Sequence, residues 1–189
     1  MQTLKDEVKQ KILDAATEEF LVDGYTNSSL RTIAAQAGIT IGNIYSYFSS
    51  KEDLFDHVVS PAWEALNSLM NMPMHNGSNH TALLDISTSI SRVFVDNKQQ
   101  FFILLNGSAG TKYQNIRERI EDYISARLQR EFGARTEAAD SLFVKALTAA
   151  LFAGFVTLFS HYGGDEQRLN RLVRDLLVAL MGDLLALEG

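Results

Sequence analysis

Apolar positions recur every three or four residues along most of this chain, and no stretch alternates strictly between apolar and polar. That period belongs to amphipathic helices rather than half-buried strands. Residues 4–23 place Val8, Ile12, Ala15, Ala16 and Phe20 on one face, with lysines and acids between them, so a helix is expected there. Gly24 is positioned to stop it. Residues 28–37 place Leu30, Ile33, Ala34 and Ala37 on one face, with Ser28 or Ser29 able to cap the start and Gly38 able to end the run. A third, very short helix is expected after a Thr40 cap, with Ile44 and Phe48 turned inward. SSKEDLF then starts a fourth. Ser49 or Ser50 caps it, and Glu52 and Asp53 lie in the first turn, where the helix dipole favours acids.

Three compact helices therefore feed a longer fourth, and a tight glycine turn joins the second and third. This is the helix-turn-helix layout, in which the second helix of the pair lies in a DNA major groove. Beyond it, Pro61 is expected either to kink the fourth helix or to sit in a first turn capped by Ser60. MPMHNGSNH, residues 72–80, reads as a loop. Residues 81–98 read as a helix, QQFFILL is apolar, and the pattern breaks at 106–111. Residues 113–132 are amphipathic, and two helices over 136–162 and 165–187 close the chain around Gly163 and Gly164. The expected fold is all-α: a helix-turn-helix domain over residues 1–52, then a larger helical domain over 53–189, with about nine helices in total.

The last two helices carry more apolar surface than one small subunit readily covers. Residues 147–160 are apolar nearly all round, and Ala146, Ala150 and Gly154 form a row of small residues for close helix approach. The final helix has a wide stripe of Leu169, Leu172, Val173, Leu176, Leu177, Leu180, Met181, Leu184 and Leu185. A two-fold four-helix bundle between two copies would cover that surface, so a homodimer through the last two helices is expected.

Composition narrows the function. There is no cysteine, so there is no disulfide, thiol nucleophile or cysteine-type zinc site. The four histidines show no metal spacing, and no phosphate loop or nucleophile with a base is present, so neither an enzyme nor a cofactor is expected. The N-terminus lacks the apolar core of a signal peptide. The apolar run at 147–160, bounded by Lys145 and His161, reads as a buried helix too short to cross a membrane, so a cytoplasmic protein is expected. Net charge is −6, yet residues 24–51 contain no Asp or Glu and only two cations, Arg31 and Lys51. An acid-free window in an acidic chain can meet a polyanion without repulsion.

Within that window, GITIGNIYSYFSSKEDL closely resembles the recognition-helix segment of TetR-type transcriptional repressors. The likeness extends upstream through ILDAATEEFLVDGYTNSSLRTIAAQAG, so it covers about residues 5–57. The chemistry of the residues agrees with it. Gly42 lets a helix lie close to bases, Asn43 suits a base edge, and Ile41 suits a thymine methyl. Thr40, Tyr45, Ser46, Tyr47 and Lys51 offer hydroxyls and a cation for phosphate, as do Ser29 and Arg31 at the second helix. Each has a plainer alternative. Thr40 is only a cap, Asn43 faces the protein, Arg31 forms a surface ion pair, or a tyrosine covers the core. Ile41 departs from the polar residue common in the family, and the sparse positive charge predicts a shallow salt dependence.

The resemblance further implies a repressor of a palindromic operator, released by a small, often apolar ligand held among the middle helices. Trp63, Met70, Phe94, Phe102, Phe155 and Phe159 supply apolar surface for it, with Asn106 and Tyr113 as polar contacts. The alternative is a DNA-binding dimer whose larger domain binds a protein partner and has no small-molecule inducer.

Overall fold

The structure, a computed structural model, describes residues 4–72, 79–132 and 141–185. Among these, all regular structure is helical. The helices are α1 (Leu4–Asn27), α2 (Leu30–Gln36), α3 (Ile41–Tyr45), α4 (Lys51–Met70), α5 (Asn79–Asp96), α6 (Lys98–Gly107), α7 (Ile116–Phe132), α8 (Ser141–Ser160) and α9 (Glu166–Leu185). Most of the expected loop at 72–80 lies outside the described residues.

The stop and start signals act where the chain places them. Gly24 has φ 68° and ψ 176° and breaks α1 near its end. That backbone region is essentially open only to glycine. Gly38, at φ 69°, follows α2. Its N–H donates to Ala35 O (3.2 Å) and that of Ile39 to Ala34 O (2.9 Å), the paired bonds that satisfy the last carbonyls of a helix. Ser29, rather than Ser28, caps α2 by accepting from the Thr32 N–H, and Thr40 caps α3. At α4, Ser50 Oγ accepts the Asp53 N–H (3.0 Å), and Asp53 Oδ2 accepts the Ser49 N–H (2.7 Å). This reciprocal pair satisfies donors that the first turn leaves unpaired.

Pro61 sits inside α4, not in a first turn. It has no N–H for the carbonyl of His57, and the Ser60 hydroxyl donates there instead (3.4 Å).

The chain divides into two compact units. The first comprises residues up to 66 together with 97–116. Its core joins Ile12, Ala16 and Phe20 of α1, Ile33 of α2, Ile44 and Phe48, and Leu54, Phe55 and Val59 of α4 to Ile103 and Leu104 of α6. Fully burying a side chain of this size contributes roughly 1.5–3 kcal/mol, so this cluster supplies much of what holds α2 and α3 in place.

The second unit comprises residues 67–96 and those from 117 on. In it α9 packs against both α5 and α8. Phe94 of α5 stacks on Phe159 of α8, with ring centroids 4.1 Å apart. Gly154 allows the close approach of α9, since a Cβ there would lie 2.6 Å from Leu176 Cδ2.

The expectations for α8 need correction. It runs 20 residues and is, by length and composition, apolar enough to cross a membrane. The apolar surface extends back through Leu142 and Phe143, across Lys145, and so is longer than the uncharged run suggests. Nor is the helix buried all round. Val144, Leu147, Leu151, Phe152 and Phe159 are buried, while Leu142 is 71% exposed and Phe143 45%.

Candidate nucleic-acid interface

α2 and α3 present a polar, outward-facing strip. Arg31, Thr40, Gly42, Asn43, Tyr45 and Ser46 are exposed, and Ser29 and Ile41 are half-buried. Inward-facing Ile33, Ala34, Ile44 and Phe48 seat both helices on the core, so the strip takes its direction from their burial. Space beside Gly42 is open: an added Cβ would meet only Thr40 Oγ1, at 3.7 Å.

The two tyrosines separate. Tyr45 is 56% exposed, whereas Tyr47 packs against the core and lies 6.5 Å, centroid to centroid, from Phe48. Thr40 is a cap and more, because its hydroxyl accepts the Asn43 N–H (3.3 Å) and donates to Asn43 Oδ1 (2.9 Å). That leaves the Asn43 amide NH2 to donate outward. Ser46 Oγ donates to Gly42 O (3.2 Å). Ser29 Oγ is shared between the Thr32 N–H and hydroxyl, at 3.1 and 2.9 Å. Arg31 forms no ion pair among the described residues.

Lys51 is placed differently from the others. Its ammonium donates to Tyr25 O (2.7 Å) and Ser28 O (2.9 Å) and lies 4.4 Å from the Tyr25 ring centroid. Partial burial lowers its pKa from the ordinary lysine value, with the Glu19 carboxylate opposing that shift. Buried Glu19 accepts the Ser29 N–H at 3.0 Å. Lys51 and Glu19 together hold the turn that leads into α2.

Lys9 of α1 was not among the candidates. Its ammonium lies 5.8 Å from the Phe48 ring centroid, on the side of the core beside α3. The four-residue spacing of Lys5 and Lys9 was the available signal.

The candidate ligand residues fall in both units. Trp63, Phe102, Asn106 and Tyr113 belong to the first and Met70, Phe94, Phe155 and Phe159 to the second. Tyr113 is buried in the first core, 5.7 Å from Trp63 and 6.3 Å from Phe55 between ring centroids. Asn106 is exposed. The second unit also holds two hydroxyls that pattern reading missed. Ser91 Oγ and Thr148 Oγ1 are buried without a hydrogen-bond partner among the described residues. A serine and a threonine on apolar helices give no periodic signal. A cavity of about 540 Å³ in the first unit is lined mainly by polar groups of α1, α4 and α6, including Asp14, Glu18, His57 and Gln99, and by none of these candidates.

Comparison with known proteins agrees with this geometry. The family model described as bacterial regulatory proteins, tetR family, matches residues 12–58. An HTH-type transcriptional repressor of Mycobacterium tuberculosis is 27% identical over 173 residues, which span 90% of this chain and 88% of that protein. A fatty acid metabolism regulator protein of Bacillus subtilis is 48% identical over 44 residues, 23% of each chain. A crystal structure of a TetR-family member from Streptomyces coelicolor shares the fold, with a TM-score of 0.69 at 20% identity, over 90% of this chain and 89% of the other. These relatives are regulators and not enzymes.

Proposed function

This chain belongs to the TetR family of helix-turn-helix transcriptional regulators, and from that premise we propose that it is a homodimeric repressor of a palindromic operator, released by a small, largely apolar ligand. The observation that carries the DNA reading is the acid-free strip of Arg31, Thr40, Gly42, Asn43, Tyr45 and Ser46, facing outward on rigidly seated helices. Arg31 and Tyr45 are free to meet phosphate. The Asn43 NH2 is free to donate to base acceptors such as guanine O6 and N7. Ser29 and Tyr47 support the strip from its edges, and Ile41 offers apolar contact to a thymine methyl. In a dimer, two such strips would stand about one helical turn of DNA apart, roughly 34–36 Å.

Release follows from differential affinity. A ligand that prefers the non-binding spacing of the two heads by a few kcal/mol empties the operator. Support for the ligand comes from the second unit, where Ser91 Oγ and Thr148 Oγ1 are buried unpaired in a unit that also holds Met70, Phe94, Phe155 and Phe159. Buried hydroxyls without partners cost about 1–3 kcal/mol each, and a ligand with one or two polar atoms would offset that.

The test is a mobility shift on DNA flanking the protein's own gene, at two salt concentrations, with wild type beside Arg31→Ala and Tyr45→Ala. Both side chains are exposed, so their removal spares the core. Specific binding by wild type is expected, weakened in both variants, with Arg31→Ala lowering the salt slope by about 1. Two variants that bind as wild type does would remove the strip from the interface.

A further inference from the structure

The turn between α1 and α2 is held by a segment far away in the sequence. Residues 107–112, between α6 and α7, reach it at two points. Gly107 lies against Gly24, where a Cβ on Gly107 would be 3.0 Å from Phe20 O and 3.3 Å from Gly24 Cα. The Thr26 hydroxyl donates to Ala109 O at 2.9 Å. The same segment grips α4, because the Lys112 ammonium pairs with Asp56 Oδ2. Lys51, five residues before Asp56 on α4, binds the same turn through Tyr25 O and Ser28 O.

We propose that residues 107–112 are a positioning element for DNA reading: through Gly107, Ala109 and Lys112 they clasp the α1–α2 turn to α4 and so set the stance of the recognition helix. This rests on the DNA-binding reading above.

Three physical points support it. Gly24, Gly107 and the Thr26–Ala109 bond bring two backbones into direct contact, which leaves little freedom for sliding. Ser29 and Arg31 begin immediately after the clasped turn, so a small rotation there is carried along α2 into α3. Asp56 Oδ1 is buried with no hydrogen-bond partner, so Lys112 provides the ion pair for that carboxylate. A buried carboxylate that loses its partner moves toward solvent or takes up a proton. Without Lys112, Asp56 therefore has reason to leave its site, and α4 with it.

The experiment is hydrogen exchange by mass spectrometry on the full chain, comparing wild type, Lys112→Met, Asp56→Asn, the double variant and the exchanged pair Asp56→Lys with Lys112→Asp. Methionine keeps the aliphatic stem beside Tyr113 and removes the charge. In Lys112→Met, amides of residues 25–45 are expected to exchange roughly tenfold faster, while those of residues 101–104 in α6 keep the wild-type rate. The double variant should add little to either single one, and the exchanged pair should recover part of the protection. Wild-type rates at 25–45 in Lys112→Met, or equal acceleration throughout the first unit, would overturn the clasp.

The second arm measures affinity for a duplex that wild type selects from a random library. About tenfold weaker binding by folded Lys112→Met is expected, and unchanged affinity would overturn the positioning role. If wild type selects no duplex, the DNA-binding reading fails, and the exchange arm still decides whether the clasp exists.

Discussion

Asp53 shows how much one side chain at a helix start can do. It accepts both the Ser49 N–H and the Ser49 hydroxyl, at 2.7 and 2.9 Å, and its own N–H is capped by Ser50. The Ser49 backbone bond, followed by the Ser49 side chain, lowers its pKa below the ordinary aspartate value, with His57 adding a smaller effect in the same direction. A depressed carboxylate pKa means that the folded state binds the proton less readily than the unfolded chain. The associated stability is present above the unfolded value and is lost as pH falls through the lower folded value. Thermal midpoints measured from neutral pH down past the aspartate range should show that loss in wild type. Asp53→Asn should be less stable at neutral pH and should lack that part of the acid-side decline. Parallel pH profiles for the two proteins would sink the assignment. The capping serines and the acid are adjacent in sequence, so this local arrangement was legible there. The Lys51 bonds to Tyr25 O and Ser28 O were not, because they join residues 26 and 23 positions apart.

At the scale of elements, the helix ends were more legible than the crossings between helices. Gly24, Gly38, Ser29 and Thr40 act on backbone groups within a few residues of themselves, and short-range chemistry suffices to place them. The meeting of α1 and α6 is different. It turns on Gly107, which in sequence reads only as part of an apolar segment breaking into a loop. A side chain at Gly107 meets two backbones rather than a yielding side chain tip. Gly107→Ala should therefore destabilise the protein by about 1–3 kcal/mol, despite alanine's better helix propensity. Chemical denaturation with an unchanged slope would measure it. A variant more stable than wild type would mean that α1 and α6 separate without cost.

At the scale of the whole molecule, the exposed apolar side chains of the second unit argue for a partner copy. Leu142 and Phe143 on α8, with Leu172 and Val178 on α9, remain exposed in the single chain. Large apolar residues gathered on the two closing helices are a feature of association surfaces. Sedimentation of wild type should give a dimer, and Leu142→Glu with Phe143→Glu should give a folded monomer with unchanged helical content. A wild-type monomer, or a variant that stays dimeric, would place the interface elsewhere or remove it. By itself the sequence determined the helical class, the order of the helices, the glycine stops and the strip of chemistry that identifies the head. All of these rest on periodicity and on groups that act on near neighbours. Only the tertiary structure decided that Tyr45 faces out while Tyr47 packs inward, that Lys51 binds carbonyls of the α1–α2 turn, and that residues 107–112 clasp that turn. Those outcomes depend on which distant surfaces bury each other, and local periodicity carries no record of contacts across that distance.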